Sequence, residues 1–371
     1  MNINIVYSNY IDEKSDKVSV GGIQTYIYYL CNLLKKLDIT PSVYQKSNAD
    51  FDRYINGVYV HGRKVKKKNS NRELSKRCVS EAATEDIILF ASEQFIIPTK
   101  QYSIAIQHGI AWDKPEHINI SDTFNRMFVF LRAIRAYQRV KKIEMVNKLV
   151  CVDYNFVNWY RTQVAHQNVE LEVIPNFSQI GEYSVRNNEN VNIIFARRFF
   201  AYRGTRIFAK AIEKILKNHE NVNVFIAGSG PDEKFLKEKF ENNPKVKISS
   251  FETKDSLEIH KNYDIAVVPT LGSEGTSLSL LEAMAAGCSV IATNVGGMTN
   301  IILDGYNGLM INPDEDELYL AMEKLIVDKS LRMELSRKAY ETVQKSFSHE
   351  IWEKRWMRIL EEVLHESEDQ C

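Results

Sequence analysis

Two glutamates, Glu274 and Glu282, stand with seven residues between them in the segment TLGSEGTSLSLLEAMAAGCSVIATNVGG (270–297). The pattern reads as a strand DIAVVP (264–269), a glycine-containing turn, a helix from about 277, a strand SVIAT (289–293) and a Gly-Gly turn. Thr276 or Ser277 can cap that helix. The first-turn amides, with the helix dipole, form an anion site suited to a phosphate. Glu282 lies roughly one and a half turns into the helix, counting 3.6 residues per turn. A carboxylate there can accept two hydrogen bonds from the hydroxyls of a ribose, and Glu274, before the helix, can meet the hydroxyls of a sugar. The plain alternative is a capped helix with two solvated glutamates.

Other candidates follow strands. FARRFFAYRGT (195–205) places Arg198 and Arg203 where a strand opens into a helix, and guanidinium groups fork onto phosphate oxygens. AGSGPDEKF (227–235) is a strand end, a turn at Gly228 and a proline-initiated helix. The third glycine of a dinucleotide fingerprint falls on Glu233, which disfavours a dehydrogenase. Gln107-His108-Gly109 ends the strand SIAIQ; an imidazole there can serve acid–base chemistry, although a lone histidine is more often structural. Gly21-Gly22 suits a close backbone approach.

The elements that hold these residues form two series. Residues 2–7, 42–44, 57–60, 86–90, 103–107 and 148–152 read as strands, and TYIYYLCNLLKKL (25–37) has helical apolar spacing. Residues 178–190 are polar and aperiodic, as in a linker. Then strands 192–196, 223–228, 246–250, 264–269 and 289–293 alternate with helices 204–218, 231–241, 254–262 and one from about 277, with a short helical stretch near 297–303. Apolar strands alternating with helices imply a parallel sheet covered on both faces, and ligands bind at the carboxyl ends of such strands.

A length of 371 residues fits about two domains at ~150 residues each. Hydrophobic residues at 44% and few Gly or Pro exclude a disordered or collagen-like chain. Equal numbers of basic and acidic residues, 48 each, argue against a nucleic-acid binder. No apolar run reaches a membrane span, and MNINIVYSNYIDEK lacks the features of a leader. The five cysteines (Cys31, Cys78, Cys151, Cys288, Cys371) are scattered, which suggests reduced thiols in a cytoplasmic protein. Residues 61–77 carry eight Lys/Arg against one Glu. Residues 122–148 carry seven Lys/Arg against two acids, interleaved with apolar residues. The latter is either an amphipathic helix on an anionic membrane, through Arg132, Arg135 and Arg139, or a core helix with a solvated basic face.

Segment 270–308 resembles the signature of the retaining GT-B glycosyltransferases of family 4, the glycosyl transferases group 1. Those enzymes carry E-x7-E in an EGFGL-like stretch followed by an EAMA-G helix. The similarity spans most of the C-terminal half and rests on short motifs in the N-terminal half. It implies that Glu274 holds the donor sugar, that Gly275, Thr276, Ser277 and Leu278 contact donor sugar and phosphate, and that Glu282 binds the donor ribose. Residues 195–205 are similar to the family's RRL-x3-KG segment, so Arg198 and Arg203 would hold the diphosphate, Arg203 standing where lysine is usual. The resemblance also implies donor contacts at Gly21, Gly22, Gly228, Ser250 and Phe251, a donor-sugar hydrogen bond from His108, and an acceptor side shaped by Trp112 and Asp113. The chain has Gly-Thr-Ser where many members have Gly-Phe-Gly.

The expectation is an α/β GT-B fold, two Rossmann-like domains with parallel sheets facing each other across a cleft. Residues 1–178 would bind the acceptor and 179–349 the nucleotide-sugar, with a helix over 350–371 packing back on the first domain. The expected reaction is hexosyl transfer from a nucleotide-sugar to a glycan or lipid-linked glycan, with retention, in the cytoplasm and peripherally on the membrane's inner face. The nucleotide-sugar is a co-substrate, so no cofactor is expected. No Asp-x-Asp ends a strand read here, so no metal is expected either. A GT-B epimerase or hydrolase, and a non-catalytic nucleotide-sugar-binding subunit, are the alternatives.

Overall fold

A computed structural model describes residues 2–19, 21–66, 68–109, 122–184, 186, 188–251, 256–272 and 274–368. Trp112 and Asp113 lie outside them. The chain divides into two compact units: Met1–His108, His117–Ile174 and Glu353–Cys371 form the first, and Gly109–Glu116 and Pro175–Trp352 the second.

The first unit is built on an eight-stranded sheet. Its strands are β1 (Ile3–Val6), β2 (Pro41–Ser47), β3 (Phe51–Ile55), β4 (Val58–Lys64), β5 (Ile87–Phe90), β6 (Ser103–Gln107), β7 (Lys148–Cys151) and β8 (Glu170–Val173), in the order β3-β4-β2-β1-β5-β6-β7-β8. All pairs are parallel except β3–β4. That antiparallel hairpin is absent from the sequence reading, because β3 alternates half-buried and exposed residues and offers no apolar run. Its signal was the turn Asn56-Gly57, both at positive φ (52° and 81°), a pair that favours a tight hairpin.

Helices α1 (Gly22–Lys36), α2 (Ser70–Glu81), α3 (Asp122–Ile143) and α4 (Tyr154–Arg161) connect the strands. Helix α1 buries Ile27, Leu30, Leu33 and Leu34 at the spacing its sequence shows. Asp153 caps α4 by accepting from the Phe156 amide. From Glu353 onward the last helix, α11 (His349–Glu368), also belongs to this unit: Trp356 Nε1 donates to the Tyr26 hydroxyl at 2.7 Å, and the buried Lys148 ammonium bonds Glu362.

The second unit has six parallel strands, β9 (Val191–Ala196), β10 (Val222–Ala227), β11 (Val246–Ser249), β12 (Ile265–Val268), β13 (Ser289–Thr293) and β14 (Leu309–Ile311), ordered β11-β10-β9-β12-β13-β14. Helices α5 (Thr205–Asn218), α6 (Glu233–Phe240), α7 (Ser256–His260), α8 (Leu278–Ala285), α9 (Glu315–Val327) and α10 (Lys329–Ser346) cover it. Strand β9 shows why both faces must be covered. Ile193 and Phe195 pack with Phe208, Ile212 and Ile215 of α5, while Ile194 and Ala196 pack with Leu280, Leu281 and Met284 of α8. A strand buried on both faces carries no polar alternation, as its sequence reads.

Four described cysteines, Cys31, Cys78, Cys151 and Cys288, are buried free thiols. Among the described residues, no helix is long and apolar enough to cross a membrane.

Candidate functional site

In the second unit the turn after β12 carries Glu274 to the start of α8. Its side chain is 10% exposed, and three donors converge on one oxygen. Arg197 Nη2 donates to Oε2 at 2.7 Å and Thr270 Oγ1 at 3.1 Å, and Arg203 Nη1 donates to the same atom. Among the described residues no donor reaches Oε1. Burial pushes the Glu274 carboxyl up, but the charges of Arg197 and Arg203 and the hydrogen bonds overcome it and hold the group below its ordinary range.

The arginine beside Glu274 is therefore Arg197, which the sequence reading did not single out. Arg197 is buried, and its amide donates to the Ala227 carbonyl, extending the β9–β10 ladder by one residue. Its Nη1 is buried without a partner among the described residues, and burial lowers the pKa of its guanidinium. Arg198 is exposed, with its guanidinium 5.6 Å from the Phe200 ring centre. At Glu274 the structure thus brings together Arg197 and Arg203, with Arg198 turned to the surface. Side chains alternate along an extended chain, so Arg197 and Arg198 point apart.

Two glycine turns fix this geometry by backbone contact. Gly228 (φ 147°) lies so close that a Cβ would stand 1.9 Å from the Arg197 carbonyl oxygen. Gly296 (φ 55°) packs against the Glu274 carbonyl, where a Cβ would stand at 2.0 Å. The next amide, of Gly297, donates to that same carbonyl at 3.0 Å. Asn176, also absent from the sequence candidates, donates from Nδ2 to the Thr276 carbonyl at 2.6 Å. Its only sequence signal was its place beside a proline at the end of the first strand–helix series.

Ser277 occupies the N-cap position of α8 in extended backbone, yet its side chain makes no cap hydrogen bond. Its hydroxyl lies 3.3 Å from that of Ser279 instead. Of the two expected caps, Ser277 is thus not one, and its hydroxyl leaves the positive end of α8 with its capacity for an anion. Thr276 is buried, while Gly275 and Leu278 are partly exposed around the same turn. Glu282 lies on α8 and accepts a hydrogen bond from the Ser256 hydroxyl. Burial pushes its carboxyl up to about 7, against the Ser256 bond and the charge of Arg197. That charge links Glu282 to the Arg197–Glu274 group. Ser250 is exposed at the end of β11, and Phe251 packs half-buried against the core.

His108, Gly21 and Gly22 lie in the first unit. His108 Nε2 donates to the Ala91 carbonyl at 3.0 Å, and its ring meets that of Tyr26 edge-on at 5.2 Å. Burial lowers its pKa to about 4, so the ring is neutral at pH 7. Gly21 precedes α1, and a Cβ there would strike the Gln24 side chain. Among the described residues no group of three or more His, Cys, Asp or Glu can hold a metal ion.

Two α/β units, each built on a sheet that is parallel throughout or, in the first unit, in all but the β3–β4 pair, make the architecture of the GT-B proteins. Comparison with known proteins agrees. Sucrose-phosphate synthase from Thermosynechococcus elongatus superposes with a TM-score of 0.77 at 15% identity, over 98% of this chain and 99% of that one. The Anabaena protein HepE in complex with UDP gives 0.74 at 14% identity, over 98% of this chain and all of that one. Residues 179–342 match the family described as Glycosyl transferases group 1. An uncharacterized glycosyltransferase of Methanocaldococcus jannaschii is 24% identical over 287 residues, 75% of this chain and 71% of that relative. The fold is that of the GT-B proteins, and residues 179–342, within the second unit, match a group 1 glycosyl transferase domain.

Proposed function

We propose that the protein transfers a hexosyl group from a nucleotide-sugar to a glycan or lipid-linked glycan, with retention and without a metal ion. The observation that carries this is the convergence of Arg197, Arg203 and Thr270 on Glu274 Oε2. Glu274 Oε1 would accept from a donor-sugar hydroxyl, and Glu282 from the ribose. The start of α8 and the two arginines would hold the diphosphate. The solved relative that carries UDP supports a nucleoside diphosphate in this role.

A carboxylate saturated by two guanidiniums is a weak base and a weak nucleophile. Glu274 therefore neither removes the acceptor's proton nor forms a glycosyl-enzyme. The sugar–phosphate bond breaks, the acceptor oxygen bonds to the anomeric carbon on the same face, and the departing phosphate takes the acceptor's proton. Positioning and the positive charge of the arginines supply the rate enhancement, which is the reason for proposing that no metal is needed. His108, neutral, acts as a hydrogen-bonding group toward the donor sugar. The protein would work in polysaccharide biosynthesis in the cytoplasm, with the basic–apolar helix α3 against the inner face of the membrane.

The test is a thermal-shift screen of UDP, GDP, ADP, CDP and dTDP and their sugars, beside E282A and R197M. A ligand at 100 times its Kd stabilises by ~2.7 kcal/mol. The proposal expects one nucleotide to stabilise the wild type alone, and NMR of the product to show the donor's anomeric configuration in the presence of EDTA. No stabilisation by any nucleotide, or an inverted product, refutes it.

A further inference from the structure

The turn between β12 and α8 is clasped at two of its carbonyls. The Gly297 amide donates to the Glu274 carbonyl at 3.0 Å, and Asn176 Nδ2 donates to the Thr276 carbonyl at 2.6 Å. A trans peptide carries its C=O and N–H on opposite sides. Each clasp therefore sets the direction of the following amide, that of Gly275 in one case and of Ser277 in the other. The second clasp also sets where α8 begins, since the Leu281 amide closes the first helical turn onto the Ser277 carbonyl at 3.1 Å. The amides of Leu278, Ser279 and Leu280 come before that bond, and a helix offers them no internal acceptor.

The two clasps differ in kind. Gly297 donates from backbone within the same strand–helix series. Asn176 donates from a side chain, and it lies outside residues 179–342, the stretch that matches the family. Its own segment is held without it. The Ser178 amide donates to the Phe347 carbonyl at 2.9 Å, and the His349 amide donates to the Ser178 carbonyl at 3.1 Å. The buried Phe177 ring stands 4.6 Å from that of Trp352 and 4.9 Å from that of His349. Half-buried Asn176 thus reaches the turn from a fixed strut. Removing its carboxamide leaves the strut in place and releases the turn on one side.

We propose that Asn176 is a positioning residue for the donor. By holding the Thr276 carbonyl it keeps the turn Gly275–Leu278 in the arrangement that meets the diphosphate and the sugar, while touching neither. The inference rests on the donor-site reading above and adds to it a residue that acts through the turn. It divides the donor in two. The nucleoside, which that reading gives to Glu282, Ser250 and Phe251, lies beyond the influence of Asn176, and the diphosphate lies within it.

The test uses the full chain and two variants. N176L keeps much of the side-chain volume and lacks the donor; N176A lacks both. UDP, GDP, ADP, CDP and dTDP are titrated by calorimetry, and the matching nucleosides by saturation-transfer NMR. Each variant should weaken the diphosphate that binds wild type by about tenfold, the effect of one hydrogen bond to a charged ligand, and should hold the matching nucleoside within about twofold of wild type. Thermal melts should stay cooperative in both, because the strut keeps its backbone pairs and its rings; where the leucine does not pack, N176A decides. Diphosphate affinity equal to wild type overturns the inference. Equal losses of nucleoside and diphosphate also overturn it, since they make Asn176 a structural residue of the whole unit. If wild type binds no nucleoside diphosphate, the donor reading itself falls and the positioning role with it.

Discussion

Replacing Arg197 by Met separates the two adjacent arginines most sharply. The substitution removes a buried guanidinium from Glu274, whose side chain is 10% exposed, and leaves the carboxylate with Arg203 and Thr270. Breaking a buried pair by removing one partner costs about 3–5 kcal/mol. The remaining arginine on the same oxygen places R197M at the low end, about 3 kcal/mol. Arg198 is exposed over Phe200, a contact of about 0.5–1 kcal/mol. At about 2–4 °C per kcal/mol for a domain of this size, R197M lowers Tm by about 6–12 °C and R198M by about 2 °C.

The pH dependence carries a second signature. The folded-state pKa of Glu274 is depressed, so its contribution to stability is present above the ordinary carboxylate range and is lost as pH falls through the depressed value. The gap between wild type and R197M therefore narrows in acid. Calorimetric melts of both variants from pH 3 to 8 make the comparison, and R197M/E274Q closes a double-mutant cycle with a coupling of about 2 kcal/mol. Equal losses in R197M and R198M, or additive effects in the cycle, refute the pairing.

Three further outcomes are expected. Glu282 is pushed up to about 7, so its favourable contribution to stability is complete below the ordinary carboxylate range and disappears as pH rises through 7, while ribose binding to the carboxylate strengthens. Melts and donor titrations across pH 5–8 should show both trends in wild type and neither in E282Q. G228A and G296A should each cost about 3 kcal/mol or more, since each puts a Cβ within 2.0 Å of a carbonyl oxygen at positive φ; urea midpoints near wild type would show that the backbone yields. His108 stays neutral above about pH 4, so the rate–pH profiles of wild type and H108Q should be parallel between pH 6 and 8, and a limb near 6.5 seen in wild type alone would disprove this.

The second unit was the more legible in sequence. Strands such as β9 and β12 are buried on both faces and write themselves as apolar runs, and Glu274 and Glu282 keep their places because a turn and a helix set their spacing. The hairpin β3–β4 was not legible as a strand pair, because an edge strand needs no apolar run; its Asn56-Gly57 turn carried the information. Arg197 was missed because two neighbouring arginines look alike until the reach of the strand is known. The ladder continues one residue past Ala196, and that parity turns Arg197 inward and Arg198 outward. The Ser277 cap failed for a local reason, a hydroxyl that found Ser279 before the helix amides. The tie of Asn176 to Thr276 spans a hundred residues and has no local signature.

The division of the chain at Ile174 and again within α11 orders events during synthesis. The second unit is complete once Trp352 has left the ribosome. The first unit, begun earlier, still lacks Trp356, whose indole bonds Tyr26, and Glu362, which bonds Lys148. Its folding therefore finishes last although it starts first. A nascent chain stalled before residue 353 would carry a finished donor-binding unit beside an unfinished partner whose Tyr26 and Lys148 lack their late contacts. That species would be the one a chaperone meets.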